Sequence, residues 1–343
     1  MVEESRFRYR TDGEKAEITG YEGRDTRIEI PRRIEGCPVS SIAKKAFLGQ
    51  RDLYAVTLPE SVEEVGDWAF ASCAGLAEIS LPKKAMRFGR AVFKNCGKLE
   101  RIAVREYGQE EGVRGAGNRK EVNSEKAVPE EYGREEGHYA EPELLAAAVS
   151  LMDAYYLLDP ETAGSGEWLG RWDQKLSSVL RTSDREGYIS HSVYGEEDYI
   201  GMDLEEYISE RRKEKVRLAF LRLLHPRALA PALREELEMI LQGFTWGCGG
   251  GETWQVLLGE HGDERAYYRL FAELSCINEE NFSGILGEIG DGHPEMKAYF
   301  LKCRGEGHTE EDFFQGLELQ RFGNLLQNPQ NGGQNGEKYA VIF

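Results

Sequence analysis

The sequence predicts an α+β, multi-domain protein: a β-rich repeat solenoid at the N-terminal end, followed by an all-α domain of helical hairpins. Three observations carry this. A 23-residue period runs from Leu53 to Val104, the period vanishes after residue 105, and from Pro142 onward apolar residues recur at helical spacing. At 343 residues the chain exceeds one ordinary core, so more than one domain is expected.

The period is read directly. "LYAVTLPESVEEVGDWAFASCAG" begins at Leu53, "LAEISLPKKAMRFGRAVFKNCGK" at Leu76 and "LERIAV" at Leu99. Val56, Ile79 and Ile102 keep the same step, as do Leu58, Leu81 and Val104, and Phe47, Phe70 and Phe93. Gly66/Gly89, Cys73/Cys96 and Pro59/Pro82 follow. An earlier unit, "IEIPRRIEGCPVSSIAKKAFLGQRD", fits once a five-residue insertion around Gly36-Cys37-Pro38 is allowed. A fixed period of this length marks stacked units, since one rung cannot bury its own apolar face. In each rung "LxxVxLP" alternates as a short strand with Val56 and Leu58 inward, and proline ends it for want of an N–H. A second apolar set (Val62, Val65, Ala69, Phe70) supplies the returning wall, with Cys73 and Cys96 as small buried apolar groups. Burial of each large apolar side chain, at about 1.5–3 kcal/mol, is the main stabilising contribution.

These residues resemble the BspA-type (Treponema-type) leucine-rich repeat family, whose signature reads "IP…I…I…AF…C..L..I.LP". The opening "FRYRTDGEKAEITGYEGRDTRIEIP" is similar to that family's first rung. The resemblance covers about residues 5–105. It implies a right-handed solenoid with one strand per repeat and a protein-binding role, in bacteria and some protists. Family members are often secreted surface proteins. This chain departs from them in its opening "MVEESRFRYRTDGEK", charged from the third residue and without an apolar core. The expectation is therefore a cytoplasmic protein, with an exported surface adhesin as the alternative.

In such a solenoid the outward strand positions align in columns. One column is Arg27, Ala55, Glu78, Arg101 and the next is Glu29, Thr57, Ser80, Ala103. They form the candidate binding face. Their small and charged side chains contain no aromatic anchor, so the columns read equally as an ordinary solvated sheet face.

Domain limits follow from where the patterns change. Residues 1–105 are the solenoid. Residues 106–143, rich in Glu and Gly and poor in apolar residues, read as a flexible acidic linker, or as a segment that orders on binding. Residues 144–326 carry the helical pattern, read as an α-helical domain of solenoid-like kind, and 327–343 form a flexible Gly/Asn/Gln-rich tail. "PELLAAAVSLMDAYYLL" predicts a long helix from Pro142, and "EWLGRWDQKLSSVLRT" puts Trp168, Leu169, Trp172, Leu176, Val179 and Leu180 on one stripe. "DLEEYISERRKEKVRLAFLRLLH" starts at an Asp203 N-cap with Glu206 three residues on. Further helices are expected at about 231–242, 253–260, 264–274, 279–288, 294–303 and 309–326. A spacing of about 30 residues between Gly262-Asp263-Glu264 and Gly292-His293-Pro294-Glu295 is loosely like that of ankyrin-type helix pairs.

Charge and chemistry narrow the function. Residues 1–105 hold 19 Lys/Arg against 16 Asp/Glu, while residues 106–343 hold 24 against 45. So acidic a second half disfavours nucleic acid and anionic membrane as partners. No stretch approaches the roughly 20 apolar residues of a membrane span. The six cysteines show no CxxC pair and no metal spacing with the six histidines, so neither metal nor cofactor is expected. Cys248 in "FTWGCGGGETW", with His261 and Asp263 downstream, could suggest a nucleophile, but reads better as a loop joining two helices. The acids of Gly195–Tyr199 lack the alternating ligands of a calcium loop. The expected function is a non-catalytic interaction module or scaffold for a protein partner, with an enzyme hidden in the helical half as the remaining alternative.

Overall fold

The computed structural model describes residues 6–106, 141–188, 203–245 and 251–305. Its strands are β1 (Phe7–Thr11), β2 (Ala16–Tyr21), β3 (Arg27–Glu29), β4 (Arg33–Ile34), β5 (Cys37–Ile42), β6 (Ala55–Thr57), β7 (Glu64–Val65), β8 (Glu78–Pro82), β9 (Arg87–Phe88) and β10 (Arg101–Arg105). They wind into two walls. One sheet runs β1-β2-β5-β7-β9, with β4 attached to β5, and the other runs β10-β8-β6-β3.

The 23-residue step becomes the pairing register. Val56 faces Ile79 and Ile79 faces Ile102 on one wall, while Ile42 faces Val65 and Val65 faces Phe88 on the other, all in parallel strands. Across the insertion Arg27 faces Ala55, a step longer by five residues. The extra length is taken up by a hairpin in which Ile34 pairs with Cys37 around Glu35 and Gly36. Those two residues have φ of 50° and 81°, the pair of positive values that a tight two-residue hairpin needs.

Between the walls lies a stack of rings. Phe47 and Phe70 are 4.8 Å apart and Phe70 and Phe93 are 5.8 Å apart, both nearly parallel, with Tyr21 and Phe7 continuing the row. Cys73 and Cys96 are buried as expected, and each thiol also donates at 3.1 Å to the carbonyl of the phenylalanine one rung earlier, Phe47 and Phe70. The neighbouring Cys96 and burial together push the Cys73 thiol far above its ordinary range. The turns repeat as strictly as the strands. Lys45, Trp68 and Ala91 all adopt left-handed φ, as do Gly49, Ser72 and Asn95. Gly66 and Gly89 are fixed by stacking, since a Cβ on Gly89 would lie 2.3 Å from the Asp67 nitrogen.

Helices close the last rung. α1 (Pro142–Ser150) packs along β10, and Arg101 meets Glu143 at 2.5 Å. The Phe47 and Phe70 amides donate to Ala69 and Val92 of the next rung. Among the described residues Phe93 is the last ring of the row, and its backbone meets the hydroxyl of Tyr155; burial pushes that phenol up to about 12. The long helix expected over "PELLAAAVSLMDAYYLL" is shorter than predicted. It stops at Ser150, Asp153 turns left-handed at φ 48°, and a 3-10 turn at Tyr155–Leu157 follows.

α2 (Gly166–Arg181) and α3 (Leu204–Leu224) complete this part. The predicted stripe is inward: Trp168 and Trp172 are fully buried and donate at 2.9 Å to the carbonyls of Leu157 and Leu144. Asp203 caps α3 by accepting from the Glu206 amide at 2.9 Å. Arg222 is fully buried and grips Asp173 with two bonds of 2.6 and 3.0 Å. Glu141 takes His225 at 3.0 Å and Arg227 at 3.1 Å. Burial opposes its ionisation, but these two partners outweigh burial and hold the carboxyl below its ordinary value of 4.5.

The chain divides into two compact units, residues 1–240 and 241–343, so α1–α3 share a unit with the solenoid. α4 (Pro231–Gly243) spans the division. The second unit contains α5 (Glu252–Glu260), α6 (Arg265–Glu273), α7 (Phe282–Ile289) and α8 (Pro294–Gly305). Its core gathers Trp254, Tyr268, Phe271 and Phe300. The helix expected at 309–326 and the tail lie outside the described residues, as does most of the 106–143 segment.

Candidate interaction face

The outward side of the β10-β8-β6-β3 sheet carries the two columns read from the sequence. Parallel register sets Arg27, Ala55, Glu78 and Arg101 side by side, and likewise Glu29, Thr57, Ser80 and Ala103. Six of these eight residues line a groove of about 350 Å³: Arg27, Glu29, Ala55, Thr57, Glu78 and Ser80, joined by Arg105. The small side chains of Ala55, Thr57 and Ser80 form its floor, and charges stand at its margins. Arg101 and Ala103 continue the columns on β10 but lie outside the groove lining, and Arg101 turns part of its guanidinium to Glu143 on α1.

Glu78 organises the rim. Its two oxygens lie 3.8 Å from Arg27 and 3.8 Å from Arg101, so one carboxylate serves cations on both sides of its strand. It reaches Arg27 because the intervening residue, Ala55, is too short to obstruct. These pairs are solvent-facing, and each contributes at most about 1 kcal/mol. They hold the arginines in place more than they stabilise the fold.

Tyr54 is the residue that the column reading missed. It precedes β6 by one position, is 44% exposed, and lies under the Arg27 guanidinium at 4.6 Å. An exposed Tyr–Arg pair is the composition of an interface anchor. The signal was present in the sequence, as an aromatic residue at a position that Ala77 and Glu100 fill in the next rungs.

The strand register, the phenylalanine row and the cysteine ladder together fix the kind of repeat. Residues 26–111 match the model of the BspA type leucine rich repeat region, in six copies. This segment is a BspA-type leucine-rich repeat. Among solved structures, the BspA-type segment is similar to the leucine rich repeat protein TpLRR of T. pallidum, at 35% identity over 29% of this chain and 48% of that one, with a TM-score of 0.29. It is also similar to a leucine rich cell surface protein of Faecalibacterium prausnitzii, at 27% identity over 30% and 31% of the two chains and a TM-score of 0.27. A leucine-rich repeat protein of Bacteroides ovatus matches at 27% identity over 28% and 27%, with a TM-score of 0.26. The chain thus spans about half the length of the Treponema protein and less of the other two. No protein of curated function matches it.

The candidate chemistry of the helical half resolves differently. Cys248 and the acids of Gly195–Tyr199 lie outside the described residues. His261 bonds Glu264 at 2.8 Å and stacks on Tyr267 at 3.6 Å, while Asp263 meets His293 at 2.6 Å. The two residues considered beside Cys248 therefore have separate partners. Among the described residues no group of three or more His, Cys, Asp or Glu could hold a metal ion, and no helix is long and apolar enough to cross a membrane.

Proposed function

We propose that the protein is a non-catalytic interaction module that binds a protein partner on the open face of the β10-β8-β6-β3 sheet. The observation that carries this reading is the groove itself, a floor of small residues with a rim of paired charges; outside its lining, an exposed Tyr54 is braced by the rim's Arg27. A floor of Ala55, Thr57 and Ser80 admits a partner's side chains without rearrangement. The Arg27–Glu78–Arg101 chain offers fixed charges that select a partner by complementarity. The repeat class supports the same reading, as a framework for interaction or adhesion, with no covalent step assigned to this face.

The test is affinity capture from a native lysate with the full chain and with Ala55→Arg, which fills the groove floor from a half-buried position. Proteins retained by the natural chain and lost with Ala55→Arg, at unchanged melting temperature, support the face. Identical retention by the two chains would move the function elsewhere on the molecule.

A further inference from the structure

A second feature lies on the turns that leave the other wall. Lys44 and Lys45 follow β5, Trp68 follows β7 one rung on, and Arg90 follows β9 one rung further. The Lys44 ammonium stands 4.8 Å from the centre of the Trp68 ring, Lys45 stands 5.7 Å away, and the Arg90 guanidinium 5.9 Å. Each cation is attracted to the ring, yet three like charges around one ring repel one another. Asp67 answers the arginine. Asp67 accepts from the Arg90 amide at 2.8 Å and lies 3.7 Å from its guanidinium. Lys44 and Lys45 are exposed and form no ion pair among the described residues. This is unlike Arg87, Lys83 and Lys15, which pair with Glu64, Glu106 and Glu63.

Apolar surface adjoins this excess of charge. Trp68 is half-buried, and Leu48, 46% exposed, sits on the same turn as Lys45, its amide donating to the Lys45 carbonyl at 3.2 Å. Lys44 also borders a depression of about 600 Å³ that Asp67, Glu17 and Glu64 share, the two glutamates being paired with Arg10 and Arg87.

We propose that this ridge is a second binding site, separate from the sheet face, and that it takes an acidic peptide segment of a protein partner. A carboxylate of the segment neutralises Lys44 and Lys45, and an apolar side chain two residues along, on the same face of the peptide, covers Leu48 and the exposed edge of Trp68. Alternate side chains of an extended peptide lie about 7 Å apart on one face, which lets an acidic and an apolar side chain two residues apart reach the lysines and Leu48 together. A sulfated glycan would satisfy the lysines and leave Leu48 uncovered, and this favours the peptide.

Titration calorimetry of the full chain with the synthetic octapeptide Glu-Ser-Leu-Ser-Glu-Ser-Leu-Ser, whose Glu and Leu share one face when extended, tests the site, with heparin and inorganic phosphate as the comparison ligands. The expected result is saturable binding of the peptide that weakens with added salt. It falls at least about tenfold in the double variant Lys44→Glu/Lys45→Glu and is unaltered in the charge-matched Arg24→Glu/Lys98→Glu. Should the Glu variant misfold, Lys44→Gln/Lys45→Gln replaces it, with a smaller loss in the same direction. Absence of peptide binding, equal loss in both double variants, or binding of heparin or phosphate without the peptide would overturn the proposal.

Discussion

In the solenoid the buried columns are apolar, Ile28–Val56–Ile79–Ile102 on one wall and Ile18–Ile42–Val65 on the other, and charges pair at the surface. In the helices that close it, the interior holds an arginine with no exposed surface, locked to Asp173, and a lysine, Lys215, held by Asp184 at 2.7 Å and the Thr182 carbonyl at 2.6 Å. Repetition explains the contrast. A unit stacked on copies of itself finds the same apolar neighbour at each level, whereas helices packed once against a solenoid end must satisfy whatever polar groups that end leaves. A buried charge pair is specific but unforgiving, because removing one partner strands the other.

The sharpest way to break the comparison is to remove Asp173. Asp173→Ala leaves Arg222 charged and buried, and urea unfolding should show a loss of about 3–5 kcal/mol. A loss below 1 kcal/mol would mean that the helical interior tolerates a lone charge and that the contrast is false. Next in size is Glu141. Its carboxyl is held below the ordinary value, so its contribution is complete above pH 4.5 and fades as pH falls through the lowered value. Glu141→Gln should therefore cost about 1.5–3 kcal/mol at pH 7 and progressively less toward pH 3, read as a closing gap in melting temperature between the two chains. The smallest effect belongs to the joint itself. Tyr155→Phe removes the hydroxyl that meets the Phe93 backbone, with an expected loss of about 1 kcal/mol and faster amide exchange confined to the rung of Phe93.

Periodicity made most of the solenoid legible, to the level of individual strand partners. Ala55 faces Glu78, and Glu78 faces Arg101, because those numbers differ by the period. The same arithmetic located the insertion that became the Glu35-Gly36 hairpin and arranged the candidate face in its correct order. What escaped was aperiodic. Arg222 and Asp173 are 49 residues apart on different helices, and nothing in either local pattern announces the pair. The end of α1 at Ser150 escaped as well, because "LMDAYYLL" is apolar enough to continue a helix, while the backbone turns at Asp153 to bring Tyr155 onto the last rung. Tyr54 and the Trp68 ridge lie between these cases. Lys45 and Trp68 share a register position, so the columns could have been extended past the strands into the turns.

The pairing register also limits how such a chain can change length. In a strand whose side chains alternate between faces, losing one residue sends every inward side chain outward. Here the fault would not stay local, because each rung takes its position from the one before. Whole rungs can be gained or lost while every surviving contact keeps its partner. Odd lengths are admitted where the chain can fold back on itself, as at the β4–β5 hairpin, where five surplus residues are taken up and Ser41 still meets Glu64 in register. Genes for this architecture should therefore differ by multiples of a rung, with their irregular insertions gathered at turns of that kind.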